Sequence, residues 1–215
     1  MIKQAIIPLA GLGTRLLPLT SVLPKELLPI NGKPALEYIL DECINAGIKE
    51  IILMGGNAIS EGNATPTAEA NIINDPEAAD IVFSANCEIS MVGLDVTNKV
   101  FMSKEEINIL CQFDDPRSEH LKKIIPFYYD FLSSFFGKEG LPTHDSSAVA
   151  YLLDRSLFST LNYPIKVETE GISRGKTWMG MGISRNEGGP SERLKPWEGR
   201  KDVNVCVDVD AEKVI

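Results

Sequence analysis

The first 54 residues place an amphipathic stretch between two short apolar runs, and this order restricts the fold more than any other feature of the sequence. Residues 4–10 and 48–54 have the length and apolar character of buried strands. Between them, Pro34 precedes a stretch with the periodicity of one helical face, and Gly47 is suited to the helix end. The apolar positions of that face are Leu36, Ile39, Leu40, Cys43 and Ile44. A strand, a helix and a strand in this order predict an α/β protein with a mostly parallel sheet flanked by helices.

The composition is that of a soluble globular protein, with 44% apolar and 24% charged residues in a chain of 215. A net charge of −9 argues against binding to nucleic acid or to an anionic membrane surface. No apolar run reaches the roughly 20 residues that cross a bilayer. Prolines, glycines and Arg15 interrupt the apolar N-terminus, so we expect no secretory signal there and a cytoplasmic protein.

Local signals predict further elements downstream. Asp75-Pro76 is an N-cap followed by proline at the first helical position, and a helix is expected from there to about residue 85. Ser103-x-x-Glu106 has the pattern of a capping box for a short helix. Another helix is expected over residues 119–136, where Pro126 should kink or split it. Strands are expected at residues 89–96, 165–169 and 203–208.

A glycine-rich loop follows the first strand. Gly11 and Gly13 let backbone N–H groups approach a polyphosphate closely, and Arg15 and Lys25 supply compensating charge. With the string from Pro24 to Pro29, this loop resembles the N-terminus of sugar nucleotidyltransferases, most closely of UTP–glucose-1-phosphate uridylyltransferases.

That resemblance covers residues 1–54 and implies a nucleotidyltransferase-like strand-loop-helix-strand start, a nucleotide ligand and Mg²⁺ as the cofactor. The residues that it assigns to the nucleotide phosphates are Gly11, Gly13, Thr14, Arg15 and Lys25. Nothing after residue 54 resembles the base-reading region or the metal-holding acid of those enzymes. Since phosphoryl transfer depends on the metal and on positioning, we expect weak triphosphate binding at this loop.

A second pattern joins Asn63, Glu69 and Asn71, which are spaced by six and by two residues. Amides and a carboxylate suit ribose, whose hydroxyls both donate and accept hydrogen bonds. With Asp75-Pro76-Glu77 and the string from Met91 to Thr97, this pattern resembles the C-terminal part of inosine-uridine preferring nucleoside hydrolases over residues 54–215. The resemblance implies that the three polar residues hold the sugar of a nucleoside.

The adjacent His144 and Asp145 belong to the same resemblance. It implies that Asp145 is a Ca²⁺ ligand and that His144 protonates the departing base. Cleavage of an N-glycosidic bond builds negative charge on the base, so a general acid helps it to leave. Metal-bound water would supply a nucleophile. Taken alone, Asp145 also suits a helix N-cap, and the geometry allows both roles.

These hydrolases begin with an Asp-rich motif of the form D-x-D-x-x-x-D-D, which supplies most of the Ca²⁺ carboxylates. Residues 8–15 occupy that place in this chain and contain no acid. Asp145 alone cannot assemble the six to eight oxygens that Ca²⁺ takes. We therefore expect impaired turnover, with a loss on the order of several kcal/mol of transition-state stabilisation.

Three hypotheses on function remain open at this point: a nucleoside N-ribohydrolase, a nucleotide-binding uridylyltransferase-like fragment, and an inactive chimeric or truncated α/β protein. The division is expected at residue 54, with a hydrolase-like part over 55–215 that shares one sheet with the first part. We also expect a homo-oligomer, because such a sheet leaves edges and apolar faces to cover. The expected ligand is a nucleoside or a nucleotide.

Overall fold

The computed structural model describes residues 28–136, 140–181 and 195–215. The chain divides into two compact units, Met1–Glu50 and Ile51–Ile215. The predicted strand at residues 4–10 lies outside the described residues. The predicted division at residue 54 separates two family resemblances rather than two compact units, and it stays a prediction.

The described part of the first unit is a tight hairpin followed by a helix. Strands β1 (Pro29–Ile30) and β2 (Lys33–Pro34) pair antiparallel. Asn31-Gly32 joins them with φ angles of 52° and 81°. Asn and Gly are the residues that best tolerate this backbone in a two-residue hairpin. Helix α1 (Ala35–Asn45) follows at once, as the apolar periodicity predicts.

The remaining strands form a central sheet and a small separate pair. The central strands are β3 (Glu50–Met54), β4 (Glu88–Val92), β7 (Phe158–Val167), β8 (Thr177–Met179) and β9 (Asp202–Val209), and β5 (Phe101–Met102) pairs with β6 (Leu141–Pro142). The order across the central sheet is β3-β4-β9-β7-β8. β4 and β9 are parallel, whereas β7 is antiparallel to both β9 and β8, so the sheet is mixed.

Helices connect and flank these strands. They are α2 (Ala70–Asn74), α3 (Pro76–Phe83), α4 (Leu94–Thr97), α5 (Lys104–Leu110), α6 (Pro116–Phe136), α7 (His144–Leu153) and α8 (Ala211–Val214), with 3-10 turns at Arg155–Leu157 and Lys195–Trp197. Among the described helices, even α6, with 21 residues, lacks an apolar stretch sufficient to span a bilayer.

The predicted helix starts are confirmed by their capping bonds. Asp75 Oδ1 accepts a hydrogen bond from the backbone N–H of Ala78 at 3.0 Å, with Pro76 at the first position of α3. Ser103 Oγ accepts from the N–H of Glu106 at 3.2 Å, and the N–H of Ser103 donates to Glu106 Oε2 at 2.6 Å. This reciprocal pair is the capping box of α5.

The strand predicted at residues 89–96 is wrong in its second half. β4 ends at Val92, and α4 follows directly after Gly93. A Cβ atom on Gly93 would lie 2.6 Å from the carbonyl oxygen of Gly56, and the N–H of Leu94 donates to that oxygen at 2.8 Å. The approach of a neighbouring loop therefore turns the chain, and a short helix buries the apolar residues that a longer strand would have buried.

The predicted split of the long helix is also wrong, because α6 continues through Pro126. Ile125, Tyr129 and Leu132 on either side of the proline pack into one cluster with residues of α5 and β6. This packing supports both halves of the helix, although Pro126 can donate no backbone hydrogen bond.

The strand predicted at residues 165–169 is the last part of a longer one. β7 pairs with β9 from Phe158 opposite Val209 to Pro164 opposite Asp202. β8 pairs with β7 only from Ile165 onward. The missing N–H of Pro164 is therefore tolerated, because the residue precedes the β8 ladder.

The main core lies between the sheet and helices α2 and α3. Its buried residues are Ile72, Phe83, Ile89, Met91, Ile165, Val167, Met179, Val203 and Val205. The residues from β4, β7 and β9 predominate, so the sheet supplies most of the apolar surface that the fold removes from water.

Asp80 of α3 ties this helix to the sheet. Its Oδ2 accepts hydrogen bonds from Lys166 Nζ at 3.0 Å and Arg200 Nη2 at 2.7 Å, and its Oδ1 accepts from the N–H of Val167 at 2.8 Å. Burial would raise the pKa of Asp80, but these bonds outweigh it and hold the pKa below its ordinary value. The ionised carboxylate therefore stabilises the fold.

We predict that Asp80→Asn lowers the free energy of unfolding at pH 7 by about 2 kcal/mol, because two cations lose a half-buried partner. The contribution of Asp80 is present above its unfolded-state pKa and is lost as the pH falls through the lower folded-state pKa. The wild type and the variant should thus converge in acid. Urea unfolding at several pH values measures this. Asp208→Asn is the control, since the exposed Lys99–Asp208 pair should contribute nothing measurable; an equal loss in both variants would contradict the role of Asp80.

Candidate functional site

A cavity of about 710 Å³ opens beside the end of β3 and the start of α7. It brings together five residues singled out in the sequence: Asn63, Glu69, Asn71, His144 and Asp145. Met54, the last residue of β3, lies in its wall. Ligand sites of open α/β folds lie beyond the carboxyl ends of strands, and this cavity has that position.

Glu69 is the most constrained of these residues. It is 1% exposed and is the N-cap of α2. Its Oε1 accepts from the N–H of Asn71 at 2.8 Å, and its Oε2 accepts from the N–H groups of Gly56 at 2.9 Å and Ile72 at 3.1 Å. A carboxylate has about four lone-pair sites. Three bonds therefore leave capacity for about one further donor.

Gly56 allows this arrangement because it follows β3 with a φ of 80°. A Cβ atom there would lie 3.0 Å from side-chain atoms of both Met91 and Thr177. The left-handed backbone and the close contacts together require glycine at this position. The N–H of Gly56 is thereby directed to Glu69.

Asn63 and Asn71 flank Glu69 in the cavity wall. Asn63 Oδ1 accepts from the N–H of Ala70 at 2.9 Å. Asn71 Nδ2 lies 3.2 Å from Met54 Sδ and 3.5 Å from the Met54 carbonyl oxygen. Within the described ranges, Asn63 Nδ2 and Asn71 Oδ1 make no hydrogen bond. The pair therefore offers one donor and one acceptor to a ligand.

His144 is the first residue of α7, and its ring is partly buried. Nδ1 lies 2.8 Å from Thr97 Oγ1, at the end of α4. Burial lowers the pKa of His144, and the negative charge of Asp145 counteracts this in part. This role of Thr97 could not be predicted from the sequence, because no spacing rule connects residues so far apart in the chain.

Asp145 is exposed in the first turn of α7 and lines the same cavity. Burial raises the pKa of Glu69, its backbone bonds counteract this, and the charge of Asp145 adds a smaller upward contribution. Two carboxylates therefore act on one cavity, which favours ligands that donate hydrogen bonds or carry positive charge.

The described residues contain no cluster of three or more His, Cys, Asp or Glu side chains able to hold a metal ion. Asp145 could contribute one oxygen ligand, whereas backbone N–H groups occupy most of the capacity of Glu69. Ca²⁺ takes six to eight oxygens. By themselves, the described side chains therefore do not fit a Ca²⁺ shell.

An apolar wall closes another side of the cavity. Its residues on α5 and α6 are Leu110, Leu121, Ile124, Ile125, Phe127 and Tyr128. Phe127 is 81% exposed and Tyr128 is 46% exposed, so both rings remain available to a ligand. The next residue, Tyr129, instead packs against the cluster of α5 and β6.

A second polar cluster, which the sequence did not predict, holds the loop after Gly56. The carboxylate of Asp95 accepts three bonds of 2.7 Å from the N–H groups of Ala58, Ile59 and Ser60. Lys176 Nζ donates to the carbonyl oxygens of Asn57 at 2.7 Å and Ser60 at 3.3 Å. Burial lowers the pKa of Lys176, and Asp95 counteracts this. One loop is thus held between two buried groups of opposite charge.

The loop predicted to bind nucleotide phosphates is not among the residues that the structure describes. Gly11, Gly13, Thr14, Arg15 and Lys25 lie outside the described residues. Their assignment stays a prediction, as does that of Mg²⁺.

Comparison with known protein families gives one match over most of the chain. A family model described as inosine-uridine preferring nucleoside hydrolase matches residues 35–215. Probable uridine nucleosidase 2 of Oryza sativa subsp. japonica is 34% identical over 181 residues, which are 84% of this chain and 52% of that protein. The inosine-uridine preferring nucleoside hydrolase of Crithidia fasciculata is 36% identical over 160 residues, which are 74% of this chain and 49% of that protein.

Comparison with solved structures also gives a nucleoside hydrolase. The solved structure titled plant nucleoside hydrolase, PpNRh1 enzyme, matches with a TM-score of 0.72 and 29% identity, over 84% of this chain and 55% of that chain. The predicted α/β class, with a mostly parallel sheet flanked by helices, is confirmed by this likeness, and the antiparallel β7 makes the sheet mixed. The chain spans about half the length of the curated relatives it matches.

The comparisons change the predicted extent of the hydrolase resemblance. The match begins at residue 35, so it includes residues 35–54, which the first resemblance places in a nucleotidyltransferase-like start. The comparisons give no support to a uridylyltransferase segment or to a chimera.

Replacement of Glu69 tests whether its carboxylate stabilises the fold in addition to lining the cavity. We predict that Glu69→Ala lowers the free energy of unfolding by about 2 kcal/mol, because three N–H groups lose their acceptor. Glu69→Gln should have a smaller effect, since one acceptor oxygen remains. Urea unfolding followed by circular dichroism measures both. Asn71→Ala is the matched control and should leave stability nearly unchanged; a loss equal to that of Glu69→Ala would contradict this assignment.

Proposed function

Because this chain belongs to the inosine-uridine preferring nucleoside hydrolase family, we propose that its cavity binds a ribonucleoside and hydrolyses the N-glycosidic bond. The observation that carries the proposal is the convergence of ribose-suited polar groups, a histidine and an aromatic wall on one cavity. The reaction adds water across the bond between C1′ and the base nitrogen. Ribose gains a hydroxyl group, and the base leaves with a proton.

Asn63, Glu69 and Asn71 supply the groups for ribose. Glu69 has capacity for about one more donor, and the two amides offer one donor and one acceptor. A sugar with neighbouring hydroxyls can satisfy all three at once, because each hydroxyl both donates and accepts. The bonds within the wall fix these groups before the ligand arrives, which reduces the entropy lost on binding.

In this proposal, His144 donates a hydrogen bond or a proton to the departing base. Its ring lines the cavity while its Nδ1 is held by Thr97. The other ring nitrogen, Nε2, is then left to donate a hydrogen bond or a proton to the base. A positioned donor of this kind typically contributes about 10²-fold to 10⁴-fold in rate.

The aromatic wall is the proposed contact surface for the base. Phe127 and Tyr128 line the cavity and remain largely exposed. Purine and pyrimidine bases are flat and aromatic, so stacking on such rings recognises a base without specifying which one. Relatives that are named for uridine, and for inosine and uridine, are consistent with either class.

Ca²⁺ is the cation to test, with Asp145 as one oxygen ligand. The steps above do not depend on it, since the described side chains do not complete a shell. The weak turnover expected from the acid-free residues 8–15 stays a prediction, as do the cytoplasmic location and the homo-oligomer. Binding and turnover therefore have to be measured separately.

The central experiment measures ribose release from inosine and from uridine, with Ca²⁺ and with a chelator. We predict that His144→Ala lowers kcat by roughly 10²-fold, because the base loses its proton donor, while calorimetry still detects nucleoside binding. His120→Ala is the matched control, since His120 is exposed and lies outside the cavity wall. Equal ribose release by the wild type and His144→Ala, or no nucleoside binding at all, would refute the proposal.

Stacking is tested by removing one ring. We predict that Phe127→Ala weakens nucleoside binding roughly threefold to tenfold, as expected for one aromatic contact, and leaves the weaker binding of free ribose unchanged. Isothermal titration measures both ligands. Phe113→Ala removes a ring that is 55% exposed but lies outside the cavity; if it weakens binding as much as Phe127→Ala does, the wall has no special role.

A further inference from the structure

The contact between Thr97 and His144 joins a buried hydroxyl to the ring that the proposed function places beside the base. Thr97 is 0% exposed and ends α4, and its Oγ1 lies 2.8 Å from His144 Nδ1. Such a bond fixes the plane of the ring. It also bears on which ring nitrogen carries the hydrogen, because a neutral imidazole has one donor and one acceptor nitrogen.

The backbone around this contact is held firmly. The N–H of Thr97 donates to the Gly93 carbonyl oxygen at 3.1 Å. One turn later, the carbonyl oxygen of Val100 accepts from both the N–H of Thr143, at 3.0 Å, and its hydroxyl, at 3.2 Å. The residue before His144 is thus anchored to the segment after Thr97. The hydroxyl and the ring therefore meet in one defined geometry.

The direction of the bond follows from the hydrogen on the threonine hydroxyl. Within the described part of the chain, Thr97 Oγ1 makes no hydrogen bond other than the one to His144. The usual alternative acceptor in a helix is the carbonyl oxygen four residues back. That oxygen, on Gly93, already accepts from the N–H groups of Val96 at 3.2 Å and Thr97 at 3.1 Å, and a carbonyl oxygen has two lone pairs.

If Nδ1 donated to the hydroxyl, a buried O–H would be left without an acceptor among these residues, which is unfavourable. If the hydroxyl donates to Nδ1, every group is satisfied. We propose that Thr97 is a positioning residue for His144, whose hydroxyl donates to Nδ1 and keeps the hydrogen of the neutral ring on Nε2, facing the cavity. The inference rests on the proposed function for its catalytic consequence, but the bond itself does not.

This arrangement gives the cavity a donor whatever the charge on the ring. In the neutral ring Nε2 carries the hydrogen because Thr97 occupies Nδ1, and in the imidazolium both nitrogens carry one. A ligand atom at this position should therefore be a hydrogen-bond acceptor, such as a ring nitrogen or a carbonyl oxygen of a base. Without the hydroxyl, the ring could rotate or lose its preferred tautomer.

Long-range ¹H–¹⁵N correlation NMR tests this directly, because the ¹⁵N chemical shifts report which imidazole nitrogen is protonated. The chain contains two histidines, so a His120→Gln background leaves His144 as the single signal. In the neutral state, we expect Nε2 to be protonated, and Nδ1 to be unprotonated and shifted by an accepted hydrogen bond. Thr97→Ser should preserve this pattern. Thr97→Val should move the ¹⁵N chemical shift of Nδ1 to the value of an unprotonated nitrogen that accepts no hydrogen bond.

A protonated Nδ1 in the neutral ring of the unaltered Thr97 protein would overturn the proposal, and so would an Nδ1 signal that is the same with Thr97→Val. The first of these needs no substitution at Thr97, so the test holds even if Thr97→Val fails to fold. Where ribose release is measurable, Thr97→Val should lower kcat roughly tenfold with little change in KM, and Thr97→Ser should retain it. If no nucleoside is hydrolysed but the nitrogen signals are as expected, the proposed function fails and the positioning of His144 stands.

Discussion

The site depends on one buried carboxylate. Glu69 accepts hydrogen bonds from the turn after β3 and from the first turn of α2, so the same two oxygens join a strand end to a helix start. Taking a carboxylate out of water costs several kcal/mol, and charge-assisted bonds to backbone N–H groups offset this cost. The group that would bind a sugar hydroxyl is therefore also a structural group. Its position in the cavity is fixed by the fold rather than by the ligand.

In the loop after Gly56, buried charged side chains likewise satisfy the hydrogen bonds of the backbone. A chain segment without regular structure must still satisfy its backbone donors and acceptors when it is buried. Here Asp95 takes three consecutive N–H groups, and Lys176 takes two carbonyl oxygens. Both charged side chains are nearly inaccessible. Together they satisfy backbone donors and acceptors of this loop, as a neighbouring strand satisfies those of a strand in a sheet.

The sequence predicted features whose causes lie within a few residues of one another. The caps at Asp75 and Ser103 are of this kind, because the donor and the acceptor are close in the chain. The spacing of Asn63, Glu69 and Asn71, and the pair of His144 and Asp145, identified residues that the structure brings into one cavity.

Features caused by distant residues could not be predicted in this way. The turn at Gly93 depends on the carbonyl oxygen of Gly56, and nothing near residue 93 marks it, so the sequence pattern predicts too long a strand. The contact of Thr97 with His144 and that of Lys176 with Asn57 likewise join separate parts of the chain. The division at residue 54 had a different cause: short motifs before it resembled another family, whereas the family match over the longer chain begins at residue 35.

The two opposite charges that hold the loop after Gly56 differ from the surface ion pairs in their response to ionic strength. Dissolved ions screen exposed pairs such as Lys99 and Asp208, but they reach buried groups poorly. Concentrated salt should therefore weaken the attraction of the exposed Asp145 for cations while the loop keeps its conformation. The electrostatic field that Asp145 contributes to the cavity can then be adjusted by the buffer without loosening that loop.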